Sequence, residues 1–139
     1  MSPELQNVIA RLQNEKQISI LGHVPQQQLK KLMSVSHVMV LPSVEEGLAL
    51  VQAQAMACGC PVIASQNTGA QDLFTDGKEG FIVPTRDSDA ITDRLQLLAD
   101  NPQIWLRLSK AALQRVKAMG GWERYGDQMY QIFSELIES

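Results

Sequence analysis

Cations are scarce and scattered in this chain. Its 139 residues carry 12 lysines and arginines against 15 acids, a net charge of −3, and no run of Lys and Arg exceeds two. Recognition of nucleic acid needs a clustered basic face, so the composition argues against a nucleic-acid partner. Long apolar runs are missing too. The longest stretches fall far below the roughly 20 residues that a bilayer-spanning helix needs. The N-terminal MSPELQNVIA lacks the charged-then-apolar order of a secretory leader. Only two cysteines occur, Cys58 and Cys60, one residue apart. Such a pair makes a poor disulfide, and without a nearby His or Cys cluster it makes no zinc site. Both read as small buried residues in a reducing compartment, and a cytoplasmic location is expected. No GxGxxG follows any apolar run, which argues against a dinucleotide-binding dehydrogenase. Internal repeats, linkers and low-complexity segments are absent as well.

What remains is a chain with 45% hydrophobic residues, enough for one domain with its own core. Four apolar runs have strand length: QISIL (17–21), HVMVLP (37–42), PVIAS (61–65) and GFIVP (80–84). They are rich in Val and Ile and bounded by Gly or Pro, as strands buried on both faces are. The segments between them have helical periodicity. Residues 4–14 place Leu5, Val8, Ile9 and Leu12 on one stripe, and residues 26–35 place Leu29, Leu32 and Met33 together. Asp87 or Ser88 can cap a helix from Asp89 to Leu98, with Ile91, Leu95 and Leu98 inward. Asn101-Pro102 reads as an N-cap followed by Pro at the first helical position. The helix it opens is expected to bury Ile104, Leu106, Leu108, Leu113 and Val116. A last helix is expected from Trp122 to near Ile137, with Trp122 and Tyr125 packing it.

Strands alternating with helices predict an α/β fold, a Rossmann-like and mostly parallel sheet covered by helices. Ligands of such sheets bind beyond the carboxyl ends of the strands. Here those ends are Gly22-His23-Val24, Pro42 to Gly47, Ser65 to Gly69 and the turn after Pro84. The second is the most suggestive. The loop Ser43-Val44-Glu45-Glu46-Gly47 runs into an apolar helix beginning near Leu48. The first amides of that helix have no partners within it, and with the helix dipole they favour an anion such as phosphate. Gln54 lies in the middle of this helix, where an unpartnered amide would cost on the order of 1–3 kcal/mol. It is therefore expected to have a partner in the protein or in a ligand. Gln52, two residues away, cannot share its face, and one of the two glutamines is expected to reach solvent.

The run 42-PSVEEGLALVQAQAMACGCPVIAS-65 resembles the signature of the retaining glycosyltransferases of family 4 (group 1), which have the two-domain GT-B fold. That signature is a Pro-Ser, a Glu-Gly, a short apolar stretch, a second Glu before Ala-Met-Ala, then Gly-x-Pro-Val. The flanking 66-QNTGAQDLFTDGKEGFIVP-84, 19-SILGHVPQQQLKKLMSVSHVMVLPS-43 and 122-WERYGDQMYQIFSEL-136 resemble the adjoining family segments, so the likeness covers almost the whole chain. It implies that residues 1–139 form a single, partial domain, the nucleotide-sugar-binding C-terminal domain of such an enzyme. By the resemblance Glu46 lies beside the donor sugar, and the backbone from Gly47 through Leu48 and Ala49 to Leu50 faces the sugar and the diphosphate. Gln54 stands where the family has a glutamate on the ribose hydroxyls. His23 falls where a loop passes near the nucleotide base.

The substrate implied is a nucleoside-diphosphate sugar, such as a UDP- or GDP-sugar, with no cofactor and no metal. The acceptor-binding domain, and the part of the donor domain that brings an Arg and a Lys to the diphosphate, are not in this sequence. Lys78 and Arg86 lie in other loops and read as solvated. The isolated chain is therefore expected to be inactive. Any peripheral membrane association is expected to run through the missing domain, and exposed interdomain surface leaves room for a dimer. The alternative is a non-catalytic interaction module of the same fold. A glycosidase using Glu45 and Glu46 is disfavoured, because adjacent residues in a tight loop do not flank one bond about 5 Å apart.

Overall fold

The computed structural model describes residues 2–42 and 49–119. The expectations for Ser43 to Leu48 and for the Trp122 helix lie outside them. The chain runs α1 (Pro3–Asn14), α2 (Gln26–Val35), β1 (Met39–Leu41), α3 (Ala49–Ala57), β2 (Val62–Ser65), α4 (Ala70–Leu73), β3 (Gly80–Val83), α5 (Ser88–Asp100) and α6 (Pro102–Ala118). The described strands form one parallel sheet in the order β1-β2-β3.

Both faces of the sheet are covered, as the unbroken apolar runs predict. Every residue of central β2 is buried. Its Val62 and Ala64 face a cluster with Met33, Ala53, Met56, Leu73 and Val116, whereas Ile63 joins Phe81, Val83, Leu98 and Leu108. The α3 helix ends in a left-handed glycine. Gly59 takes φ +74, its N–H donates to the Met56 carbonyl, and the Cys60 N–H reaches back to that of Ala55. This glycine-terminated stop turns the chain directly into β2. Gly80 opens β3 for a different reason: a Cβ there would sit 2.4 Å from the Val62 carbonyl oxygen of the neighbouring strand.

Five expectations need correction. Residues 17–21 are not a strand, and among the described residues nothing forms a ladder with them. A strand exists through its neighbour's hydrogen bonds, and here Ile20 and Leu21 stand exposed. The α1 helix forms with Ser2 as its cap, but none of its residues is buried. On α6 the buried face is Leu108, Ser109, Ala112 and Val116, while Leu106 and Leu113 are exposed. Asn101 does not cap α6 with its side chain; its Nδ2 donates to the Leu97 carbonyl and closes α5 instead. On α5 Leu98 is buried and Ile91 half-buried, while Leu95 is exposed rather than inward. Asp87 does cap α5, accepting from the Ala90 N–H at 2.9 Å.

Candidate functional site

Register fixes where the strands end. Leu41 pairs with Ala64 and Ala64 with Ile82, so the three carboxyl ends lie side by side. Pro42, Ser65, Pro84 and Arg86 line a small cavity of about 200 Å³ there, closed on one side by Asp87 and Ser88 at the start of α5. Arg86 is exposed, as a solvated loop residue should be, yet it sits at the ligand edge of the sheet with φ +62. Its place there depends on β3 lying beside β2, which local sequence does not show. Lys78 is exposed in the turn that precedes β3.

Of the residues expected at the site, Glu46, Gly47 and Leu48 lie outside the described residues. Ala49 is the first described residue of α3, and Leu50 is half-buried in its first turn. The two glutamines both lie inside, contrary to the expectation that one reaches solvent. Gln52 is fully buried, and its Nε2 donates to the Thr68 carbonyl at 2.9 Å. The Thr68 hydroxyl in turn donates to the Ser65 carbonyl at 2.9 Å. Gln52 thus ties α3 to the loop that follows β2.

Gln54 is 8% exposed, and among the described residues no hydrogen bond reaches its amide. It faces a pocket of about 280 Å³ between α2 and α3. Across this pocket stand Gln26 and Gln27, the first two residues of α2, and Lys30 one turn on. Lys30 is a cation that sequence reasoning missed. It lies 24 residues before Gln54, and only the packing of α2 against α3 brings the two together. His23 is exposed and lines a separate groove of about 450 Å³ with Gln28, Lys31 and Val35, on another face of α2. The structure therefore does not gather His23 and Gln54 into one pocket.

The thiols stand at the far end of α3. Cys58 is half-buried on the floor of the Gln54 pocket, and Cys60 is buried. Burial, with Cys58 nearby, pushes the Cys60 thiol up from the ordinary 9.0 to about 11, so it stays neutral. Among the described residues no three His, Cys, Asp or Glu side chains could jointly hold a metal ion, and no helix is long and apolar enough to cross a membrane.

Comparison with known proteins places this geometry. The chain is 29% identical over 135 residues to a D-inositol 3-phosphate glycosyltransferase of Streptomyces avermitilis, covering 97% of this chain and 29% of that protein. It superposes on a sucrose-phosphate synthase structure from Thermosynechococcus elongatus with a TM-score of 0.74 at 30% identity, over 97% of this chain and 35% of that one. A structure of Anabaena HepE with UDP and glucose shares the fold, with a TM-score of 0.77 at 23% identity, over 95% of this chain and 36% of that one. The chain spans about a third of each relative. The fold is the Rossmann-like sheet of GT-B glycosyltransferases. The profile described as Glycosyl transferases group 1 matches residues 2–115, and the chain belongs to that family.

Proposed function

We propose that the full-length protein carrying this chain transfers a sugar from a nucleoside-diphosphate sugar to an acceptor, with retention at the anomeric carbon and without an essential metal or cofactor. Residues 1–139 are its donor-binding portion, and an acceptor-binding domain outside them is the partner across the cleft. The observation that carries this reading is Gln54. A buried amide with no hydrogen bond from the described residues, facing a pocket beside a family signature, suits a ligand's hydroxyls. The UDP and glucose held by HepE on the same fold support a nucleotide-sugar donor.

In this reading Glu46 meets the sugar and steadies positive charge developing at the anomeric carbon. The amides from Gly47 to Leu50 meet the sugar and the diphosphate. Gln54 holds the ribose, accepting through its carbonyl oxygen and donating through its NH₂. The loop at His23 is the candidate for the base, although its side chain faces the other groove. The chain alone turns over no donor. A lone helix N-terminus supplies only part of the charge stabilisation that a diphosphate leaving group needs. The location expected is the cytoplasm, with any membrane contact made by the rest of the enzyme.

The test is calorimetric titration of the full-length protein with UDP and GDP, beside a transfer assay with the corresponding sugar donors. Glu46→Gln should bind nucleotide and lose transfer. Gln54→Glu should tighten nucleotide binding several-fold, because a carboxylate makes the hydroxyl bonds charge-assisted. Failure of the unaltered protein to bind either nucleotide would sink the enzyme reading in favour of an interaction module.

A further inference from the structure

The pocket between α2 and α3 is lined by one cation, by the start of a helix and by side-chain amides that can donate as well as accept. Gln26 and Gln27 open α2, where backbone N–H groups have no partners inside the helix. Pro25 precedes them and supplies no side-chain cap, so this helix end is left to solvent or to a ligand. Lys30 stands one turn on, where a residue four positions after Gln26 shares its face. Opposite them is Gln54, 8% exposed and without a hydrogen bond from the described residues. None of the lining residues is acidic. A helix N-terminus, an ammonium group and a neutral amide that can donate together suit an anion.

We propose that this pocket takes a phosphate group carried on the ribose. A nucleotide phosphorylated at its 2′ or 3′ oxygen then competes with the nucleotide-sugar donor. The inference rests on the reading that Gln54 faces the donor's ribose. Its chemical logic is general to nucleotide sites. An acidic residue accepts from ribose hydroxyls and repels a phosphate placed there, whereas a nearby cation accommodates it. At Gln54 the repelling charge is gone, and Lys30 and the start of α2 supply the attracting one. Binding is competitive because the competitor occupies the ribose site itself; no bond is made or broken.

The experiment compares matched ligands on the full-length protein by calorimetry. UMP is set against uridine 3′,5′-bisphosphate and its 2′,5′ isomer, and GMP against the corresponding guanosine compounds. A bisphosphate should bind about tenfold or more tightly than its 5′-monophosphate, with the difference shrinking as salt rises because Lys30 is exposed. In Lys30→Ala most of that difference should disappear. In Gln54→Glu the order should reverse, with bisphosphate weakened about tenfold while UDP or GDP tightens. This crossed response cannot come from loss of folding, which would weaken both. Bisphosphates that bind no better than monophosphates, while UDP or GDP still binds, would overturn this inference and leave the donor reading standing. Absence of all nucleotide binding would overturn both.

Discussion

Gln52 and Gln54 are both buried in the middle of α3, two positions apart, and they point to different neighbours. The sequence shows that an amide inside an apolar helix needs a partner. It does not show which amide finds one in the protein, because Thr68 is 16 residues away and arrives through β2 and its loop. The structure separates them by their bonds. Gln52→Ala should cost about 1–3 kcal/mol, since it removes a buried bond and orphans the Thr68 carbonyl. Gln54→Ala should cost under about 1 kcal/mol, since no bond from the described residues is lost and its pocket is already open. Urea unfolding of the two variants checks the order, and equal losses would mean that Gln54 is a structural residue. Lys30 and Arg86 show the same limit on legibility. Each is an ordinary cation locally, and each acquires its setting from an element distant in sequence.

Elements were legible where the signal is local. The three paired strands, α2 and the cap of α5 by Asp87 follow from apolar runs, periodicity and capping chemistry. The face of α6 was not. Counting large apolar residues picks Leu106 and Leu113, which lie on the exposed side. The true face runs through positions 104, 108, 112 and 116, four apart, and includes Ala112, small enough to escape notice and fully buried against the α3 side of the core. Arg115 also ties this helix down, donating from Nε to the Leu73 carbonyl at 2.9 Å. The consequence is a clear ranking. Leu108→Ala opens a cavity beside Ile63 and Phe81 and should cost about 2–5 kcal/mol. Leu113→Ala, at a residue 44% exposed, should cost well under about 1.5 kcal/mol. Thermal unfolding of the two variants measures the difference.

At the scale of the whole molecule the misread segment is 17–21. Its composition is that of a strand, and composition says nothing of whether a neighbour is present. Pairing is a property of two segments, and no described residue pairs with this one. Ile20 is 59% exposed and Leu21 58%, and Val35 at the end of α2 is 78% exposed. Leu5 and Val8 of α1 and Leu32 of α2 are exposed as well. Leu21, Val24, Leu32 and Val35 line the open groove of about 450 Å³. Apolar groups gathered this way lose free energy to water, roughly 25 cal/mol for each Å² that a contact could cover. The 139-residue chain on its own should therefore self-associate in a concentration-dependent way. Sedimentation equilibrium would show an average mass rising above 15.4 kDa as concentration increases. Ile20→Lys combined with Leu21→Lys should return it toward that mass. Because both side chains are already exposed, the melting temperature at high dilution should hardly change. A mass that stays at 15.4 kDa across the concentration range, before any substitution, would show that this face does not drive association.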